Sequence, residues 1–369
     1  MMTPDTIRDI LNNHYDLGLL VRSEFVDRGY INTSYELEIV QNGQSQRYIL
    51  RRYWKGKELT QIKFEHALML ELQVREFDFT PVIIATRTGR TYVEIKDLQN
   101  CKKSNPIYLA VFSFLEGEEN YRWDRPGCTE LELADAARVL AEYHSTIHGW
   151  IPPAEWRKPK LVHFLSGVLT EWSRLERVFS PTVFEDYLFN NKTSLLDISE
   201  RLKKALPQKS YDTLPHLAIH GDYHPGNLKF REERVVGQFD FDWANFDARC
   251  FDVALALSYF CSIWDGFEDG KLTLSKVAVF LESYQGAAFW KHDPNLPGPL
   301  TEQELAWLPD MIQASALFVL SWTIGHYFAT QPNPEAYLRY LRHSLQLAQW
   351  LDRQKPELAA LVRRYRNVT

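Results

Sequence analysis

Residues 220–227 read HGDYHPGN. Two histidines, an aspartate and an asparagine fall within this stretch, with Gly221, Pro225 and Gly226 between them. His220 and His224 are four positions apart, the spacing that puts two metal ligands on one helix face. With Asp222 they could serve a zinc-dependent hydrolase. Two glycines and a proline disfavour the helix which that argument needs. A second reading is a loop that aims Asp222 and Asn227 into a cleft. A plain polar turn after a strand is the third.

The residues just after the loop bear on the choice. "NLKF" reads as a short strand, "REER" as a turn and "VVGQFDF" as a second strand ending at Asp240. A hairpin folds back on itself, so Asn227 and Asp240 could lie side by side although thirteen positions separate them. An amide oxygen and a carboxylate beside a further carboxylate make an oxygen-only site suited to Mg²⁺. The run from Asp240 to Asp247, DFDWANFD, supplies three acids.

The elements that must position these groups can be read from periodicity and punctuation. Residues 18–53 read as β-structure, with Asn42-Gly43 as a hairpin turn. Residues 60–76 read as a helix, and 82–95 and 107–114 as short apolar strands. From "TELELADAARVLAEYHSTIH" onward the chain turns helical, with further helices expected over 164–178, 182–204, 272–288, 302–330 and 334–366. The strand-like runs of 217–242 interrupt them. The expectation is an α+β chain with a small β-rich N-terminal part, a crossover near 113–117 and a larger, mostly helical C-terminal part.

Composition bounds the function. A chain of 369 residues, 45% hydrophobic and 24% charged, is longer than one typical core and predicts two lobes. A net charge of -6 argues against a general nucleic-acid partner. Cysteines at 101, 128, 250 and 261 form no CxxC pair and suit a reducing, cytoplasmic setting. The N-terminal stretch has acids and lacks the apolar core of a signal peptide. The apolar run Met311–Ile324 is interrupted by polar residues and reads as a buried helix too short to span a bilayer, so no membrane role is expected.

HGDYHPGN, then FDFD, then ARCFDVALAL together resemble the aminoglycoside phosphotransferase/choline kinase family. That family includes homoserine kinase and methylthioribose kinase and shares the bilobal protein-kinase-like fold. H-x-D-x-x-x-x-N keeps the Asp-to-Asn interval of the protein-kinase catalytic loop. The resemblance implies an ATP- and Mg²⁺-dependent phosphotransferase acting on a hydroxyl of a small molecule. It implies a nucleotide-binding lobe over 1–113, a hinge over 114–117 and a catalytic lobe over 118–369. Asp222 would be the base, and Asn227 and Asp240 would hold magnesium. His220 would brace the loop, His224 would brace it or touch substrate, and Asp252 would cap a helix or tie the loop in place.

In the first lobe "YILR" at 48–51 puts Arg51 where such kinases carry lysine. Arginine keeps the charge but grips phosphate with a planar fork. Alternation sends Arg52 to the other strand face. Glu65 shares an i, i+3, i+4, i+7 stripe with Leu68, Met69 and Leu72, and a carboxylate there implies a partner. The full glycine motif is missing. Gly29, with Asn32 and Thr33, stands for the phosphate-covering loop. In "AVFSFLEGEE" the Ser113 carbonyl and Leu115 amide would read adenine. Asp242, Trp243, Asn245, Asp247 and His224 would line the acceptor pocket. Acids beside aromatics favour an amine-bearing alcohol of the homoserine, choline or ethanolamine type, with an aminoglycoside as the other candidate. Asp247 could instead pair with Arg249. Besides the zinc hydrolase, a catalytically silent kinase-like binding protein stays open, because the lysine is absent.

Overall fold

The computed structural model describes residues 1–27, 31–95, 106–176, 180–291 and 297–365. Gly29 and Cys101 lie outside them. The chain forms two compact units. The first comprises Met1–Gly117 together with Pro152–Trp156 and Val236–Asp242. The second comprises Glu118–Ile151, Arg157–Val235 and Trp243–Thr369. Residues 236–242 thus pack with the β-rich unit, although in chain order they lie deep within the helical region.

The first unit contains α1 (Pro4–His14), β1 (Leu19–Val26), β2 (Thr33–Gln41), β3 (Gln44–Arg52), α2 (Leu59–Val74), β4 (Ile83–Ile84), β5 (Val93–Ile95) and β6 (Ile107–Ser113). The strands form one antiparallel sheet in the order β1-β2-β3-β6-β4, with β5 also on β6. Asn42 (φ 53°) and Gly43 (φ 79°) turn β2 into β3. Two left-handed residues in a two-residue loop match the twist of the flanking strands.

One sheet face buries Tyr35, Leu37, Ile39, Tyr48 and Leu50 against Ile7, Ile10 and Leu11 of α1. The sequence pattern did not announce α1. Its start is set by Thr3, whose Oγ1 accepts from the Thr6 amide, and by Pro4 in the first turn. Arg51, one residue beyond Leu50, turns to the opposite face, where α2 lies. Glu65, Leu68, Met69 and Leu72 are all buried, as the stripe implied.

The second unit contains α3 (Glu130–Thr146), α4 (Leu161–Ser173), α5 (Val183–Ala205), α6 (Gln208–Tyr211), β7 (His216–Ile219), β8 (Leu228–Arg231), β9 (Arg234–Gln238), β10 (Asn245–Ala248), α7 (Arg249–Cys261), β11 (Ser262–Ile263), β12 (Lys271–Leu272), α8 (Leu274–Gln285), α9 (Glu302–Thr330) and α10 (Pro334–Arg363). β9 carries the chain from this unit into the first. Reciprocal capping boxes start α3 (Thr129/Glu132), α5 (Thr182/Glu185) and α9 (Thr301/Glu304). β7 pairs with β10 and β8 with β9.

Two expectations need correction here. α9 has 29 residues, so by length and composition it could cross a membrane. It is not too short. What marks it as a core helix is burial, since 61% of its most apolar window lies inside the fold. The partner of Arg249 is Glu304, not Asp247. The fully buried guanidinium donates through Nε and Nη2 to the two Glu304 oxygens, each at 2.8 Å, and to the carbonyls of Gly298 and Pro299.

α7 places Asp252 beneath the 220–227 loop. Its carboxylate accepts from the His220 amide (2.8 Å) and the Gly221 amide (2.9 Å). His144 Nε2 of α3 lies 3.1 Å away, and His144 Nδ1 lies 2.7 Å from the Tyr284 hydroxyl. Asp252 therefore ties the loop in place. Gly221 is required at its position. Its φ is 74°, and a Cβ there would meet the Trp243 carbonyl oxygen at 2.4 Å.

Removing Asp252 strands two buried amides and a buried imidazole. We predict that Asp252→Ala costs about 3–5 kcal/mol of stability, and Asp252→Asn less because one acceptor oxygen remains. Urea unfolding of both variants checks this. A midpoint for Asp252→Ala equal to the wild type would show that the tie does not hold the loop.

Candidate active site

In the first unit, β3, α2 and the 236–242 segment bring a charged group together. Arg51 Nη1 lies 3.2 Å from Glu65 Oε1, 3.3 Å from Asp240 Oδ1 and 3.7 Å from Asp242 Oδ1. The guanidinium also faces the Phe112 ring, 5.6 Å from its centre. Glu65 takes a second hydrogen bond from the Tyr53 hydroxyl at 3.2 Å, and Tyr53 in turn contacts His66 Nε2 at 2.9 Å. Lys57 Nζ lies 3.3 Å from Asp242 Oδ1 and donates to the Asp242 carbonyl at 3.2 Å. Asn32 donates from Nδ2 to Asp242 and accepts from the Trp54 amide. Asp240 is the most exposed of these ionisable groups, its side chain 36% accessible against 2% for Glu65. It holds a φ of 67°, a left-handed conformation uncommon for a side-chain-bearing residue.

The electrostatics of this cluster follow from burial and charge. Burial, helped by the negative charge of Asp242, pushes the Glu65 carboxyl up to about 8, while Arg51 and Lys57 pull it back. Burial would also raise Asp242, but Lys57 and Arg51 outweigh it and hold that carboxyl at about 2. Of the two, Glu65 is therefore the one that takes up a proton first as the pH falls. Burial opposes the charge on Arg51, yet Asp240, Asp242 and Glu65 raise its pKa, so it stays a cation.

In the second unit the 220–227 loop holds Asp222 from several sides. Asn227 Nδ2 donates to the Asp222 backbone carbonyl (2.9 Å) and to Oδ2 (3.2 Å). The Tyr259 hydroxyl of α7 donates to Asp222 Oδ1 at 3.1 Å. His224 accepts the Gly226 amide on Nδ1 at 3.0 Å, which leaves its proton on Nε2, 3.6 Å from Asp222 Oδ2. Burial would raise the Asp222 carboxyl. The His224 and His220 rings and the Tyr259 hydroxyl more than offset it, and the pKa falls below the usual aspartate value. Because the Asn227 nitrogen is spent on Asp222, the side-chain oxygen faces the other way. That amide oxygen is a hard donor of the kind Mg²⁺ takes, and so, within the first unit, is the partly exposed Asp240 carboxylate.

Several expected residues are bound to the protein itself. Asn245 accepts from the Lys158 amide (2.9 Å) and donates to the Pro159 carbonyl (3.4 Å). Asp247 accepts from the Leu161 amide (2.9 Å), the Tyr211 hydroxyl (2.7 Å) and the Ala248 amide (2.8 Å). Both pin the 158–161 segment that opens α4. Asp242 is taken up by Lys57, Arg51 and Asn32. Trp243 packs edge-on to Phe318 with Lys158 over its face. Ser113 closes β6, its amide donating to the Val82 carbonyl and its hydroxyl accepting from the Val82 amide. Leu115 comes two residues later, half-buried, in irregular chain. Gly29 lies outside the described residues.

Among the described residues no three His, Cys, Asp or Glu side chains are grouped to hold a metal ion, so His220, Asp222 and His224 are not arranged as a zinc triad. Sequence reasoning missed Lys57 and Tyr259. Lys57 sits in the KGK turn, which resembles a solvated charge run, and Tyr259 resembles one more apolar residue of α7.

Residues 23–290 match the phosphotransferase enzyme family. The chain is 28% identical to a homoserine kinase of Rhizobium etli (strain CIAT 652) over 343 residues, 91% of this chain and 92% of that one. It is 24% identical to a homoserine kinase of Gluconobacter oxydans (strain 621H), over 89% of this chain and 92% of the other. Among solved structures, a microcompartment-associated aminopropanol kinase superposes with a TM-score of 0.67 at 18% identity, covering 96% of this chain and 98% of that chain. A choline kinase from Cryptosporidium parvum Iowa II superposes with a TM-score of 0.55 at 14% identity, covering 90% of each. These likenesses support the kinase-like α+β fold. The family match spans most of the chain, and the hydrolase and silent-module readings give way to it. The chain belongs to the phosphotransferase enzyme family, as a small-molecule kinase whose acceptor is an alcohol group.

Proposed function

We propose that this protein transfers the terminal phosphoryl group of ATP, with Mg²⁺, to the hydroxyl of an amino alcohol in the cytosol, with homoserine as its acceptor. The observation that carries the reading is the double grip of Asn227 on Asp222, which fixes the carboxylate and turns the amide oxygen away from it. The choice of homoserine rests on relatives of that name aligned along nine-tenths of both chains.

Asp222 acts on the acceptor hydroxyl. With its pKa depressed it is ionised throughout the neutral range. It therefore orients the hydroxyl and takes its proton late, as the new bond to phosphorus forms, which suits a transfer dominated by positioning. Tyr259 holds Oδ1, and the Asn227 grip closes the loop back on Asp222. Asn227 and Asp240 would hold the metal, and bound Mg²⁺ supplies charge neutralisation on the phosphates. Arg51, kept cationic and seated by Glu65, serves the phosphates from the first unit. Backbone groups of Ser113 and Leu115 take the adenine.

We predict that Asp222→Asn lowers kcat about 10²–10⁴-fold while ATP binding is retained. The wild-type kcat/KM should show no acid limb from this group above about pH 4, because the folded carboxyl titrates below the ordinary aspartate value. Turnover of Asp222→Asn at the wild-type rate would remove Asp222 from this role.

The metal assignment is checked by thermal stability with ATP across a Mg²⁺ titration. Asp240→Ala, which loses a full charge, should abolish the Mg²⁺-dependent stabilisation. Asn227→Ala should keep a weakened response that extra Mg²⁺ restores in part. An unchanged response in Asp240→Ala would disprove its part in the metal site.

The acceptor is checked by ADP release from ATP in the presence of homoserine, 3-aminopropanol, ethanolamine, choline or an aminoglycoside. Homoserine should give the highest kcat/KM. A higher value for choline or the aminoglycoside would overturn the homoserine assignment and leave the kinase chemistry standing.

A further inference from the structure

Lysine is seldom fully buried unless it is paired. Lys57 is 7% exposed although it lies in the short turn between β3 and α2, where solvent would be easy to reach. The turn directs it inward. The Lys57 amide donates to the Trp54 carbonyl at 3.1 Å, and Gly56 adopts a φ of 120° between them. The ammonium ends 3.3 Å from Asp242 Oδ1, the oxygen that Arg51 Nη1 approaches at 3.7 Å. Two cations from different parts of the unit thus converge on one carboxylate oxygen, beside Asp240.

The two differ in what they suit. Arg51 is planar and is engaged by three carboxylates, those of Glu65, Asp240 and Asp242. Lys57 carries a compact, rotatable ammonium at the end of a flexible stem, a point charge that follows a phosphate as it moves.

We propose that Lys57 is a second phosphate-binding cation of this kinase, supplying from the β3–α2 turn the ammonium that position 51 lacks, with Asp242 holding it ready. This rests on the ATP reading above. In this arrangement Arg51 organises the carboxylates and Lys57 meets the polyphosphate. Asp242 then belongs to the nucleotide side of the enzyme rather than to the acceptor pocket. The competing explanation is that Lys57 only neutralises Asp242.

Calorimetric titration with Mg²⁺-ATP and with adenosine separates the two. Lys57→Met should raise the Kd for Mg²⁺-ATP about tenfold or more, the value of one charge-assisted hydrogen bond, and leave adenosine binding unchanged. In the double variant Lys57→Met/Asp242→Asn the buried carboxylate no longer needs a cation. Weak Mg²⁺-ATP binding should persist there if Lys57 meets phosphate. Wild-type affinity in either variant overturns the proposal, and the double variant decides the matter if the single one does not fold. Wild-type protein that binds Mg²⁺-ATP no more tightly than adenosine would instead overturn the ATP reading itself.

Discussion

A carboxylate taken out of water must be given donors or cations, or it will take up a proton. The second unit is organised around meeting that demand at Asp252. This one carboxylate sits under two consecutive loop amides and an imidazole from α3, and nothing around it is exposed. The loop that carries Asp222 and Asn227 takes its path from that anchor. Gly221 can follow the path only because it lacks a side chain, since the Trp243 carbonyl lies where a Cβ would be. The catalytic-loop pattern is thus held from below by backbone amides before its own side chains make any contact.

The same demand shapes the first unit in a different way. Three carboxylates and two cations share a small, mostly buried volume there. Their protonation is divided, with Glu65 pushed up and Asp242 held down. The opposed shifts follow from position, because both cations reach Asp242 while Glu65 is the more deeply buried acid. Asp240, more open than its neighbours and strained in its backbone, is the member of the group that meets solvent.

Much of this was legible in the chain. The Asn42-Gly43 turn, the apolar stripe of α2 and the helices α3, α4, α5, α8, α9 and α10 declared themselves through period and punctuation, because those signals are local. HGDYHPGN with FDFD was legible for another reason. The residues that carry the family resemblance fall close together in sequence, so a short stretch displays them. The lysine-to-arginine change at 51 was equally plain, and so was the need of Glu65 for a partner.

Other features depended on contacts that no local pattern announces. Asn245 and Asp247 have the residue types of a polar pocket, yet Asn245 Oδ1 and Asp247 Oδ2 are spent on the 158–161 segment, 87 and 86 positions away in sequence. Arg249 is matched to Glu304 rather than to the nearer Asp247. Lys57 reads as a solvated turn residue until residues 236–242 are seen to pack in its own unit. Sequence alone therefore determined the family chemistry and the elements, which are written in short-range spacing. Only the tertiary structure decided which charged residues face one another, because the pairing of a buried charge depends on which distant segment is packed against it.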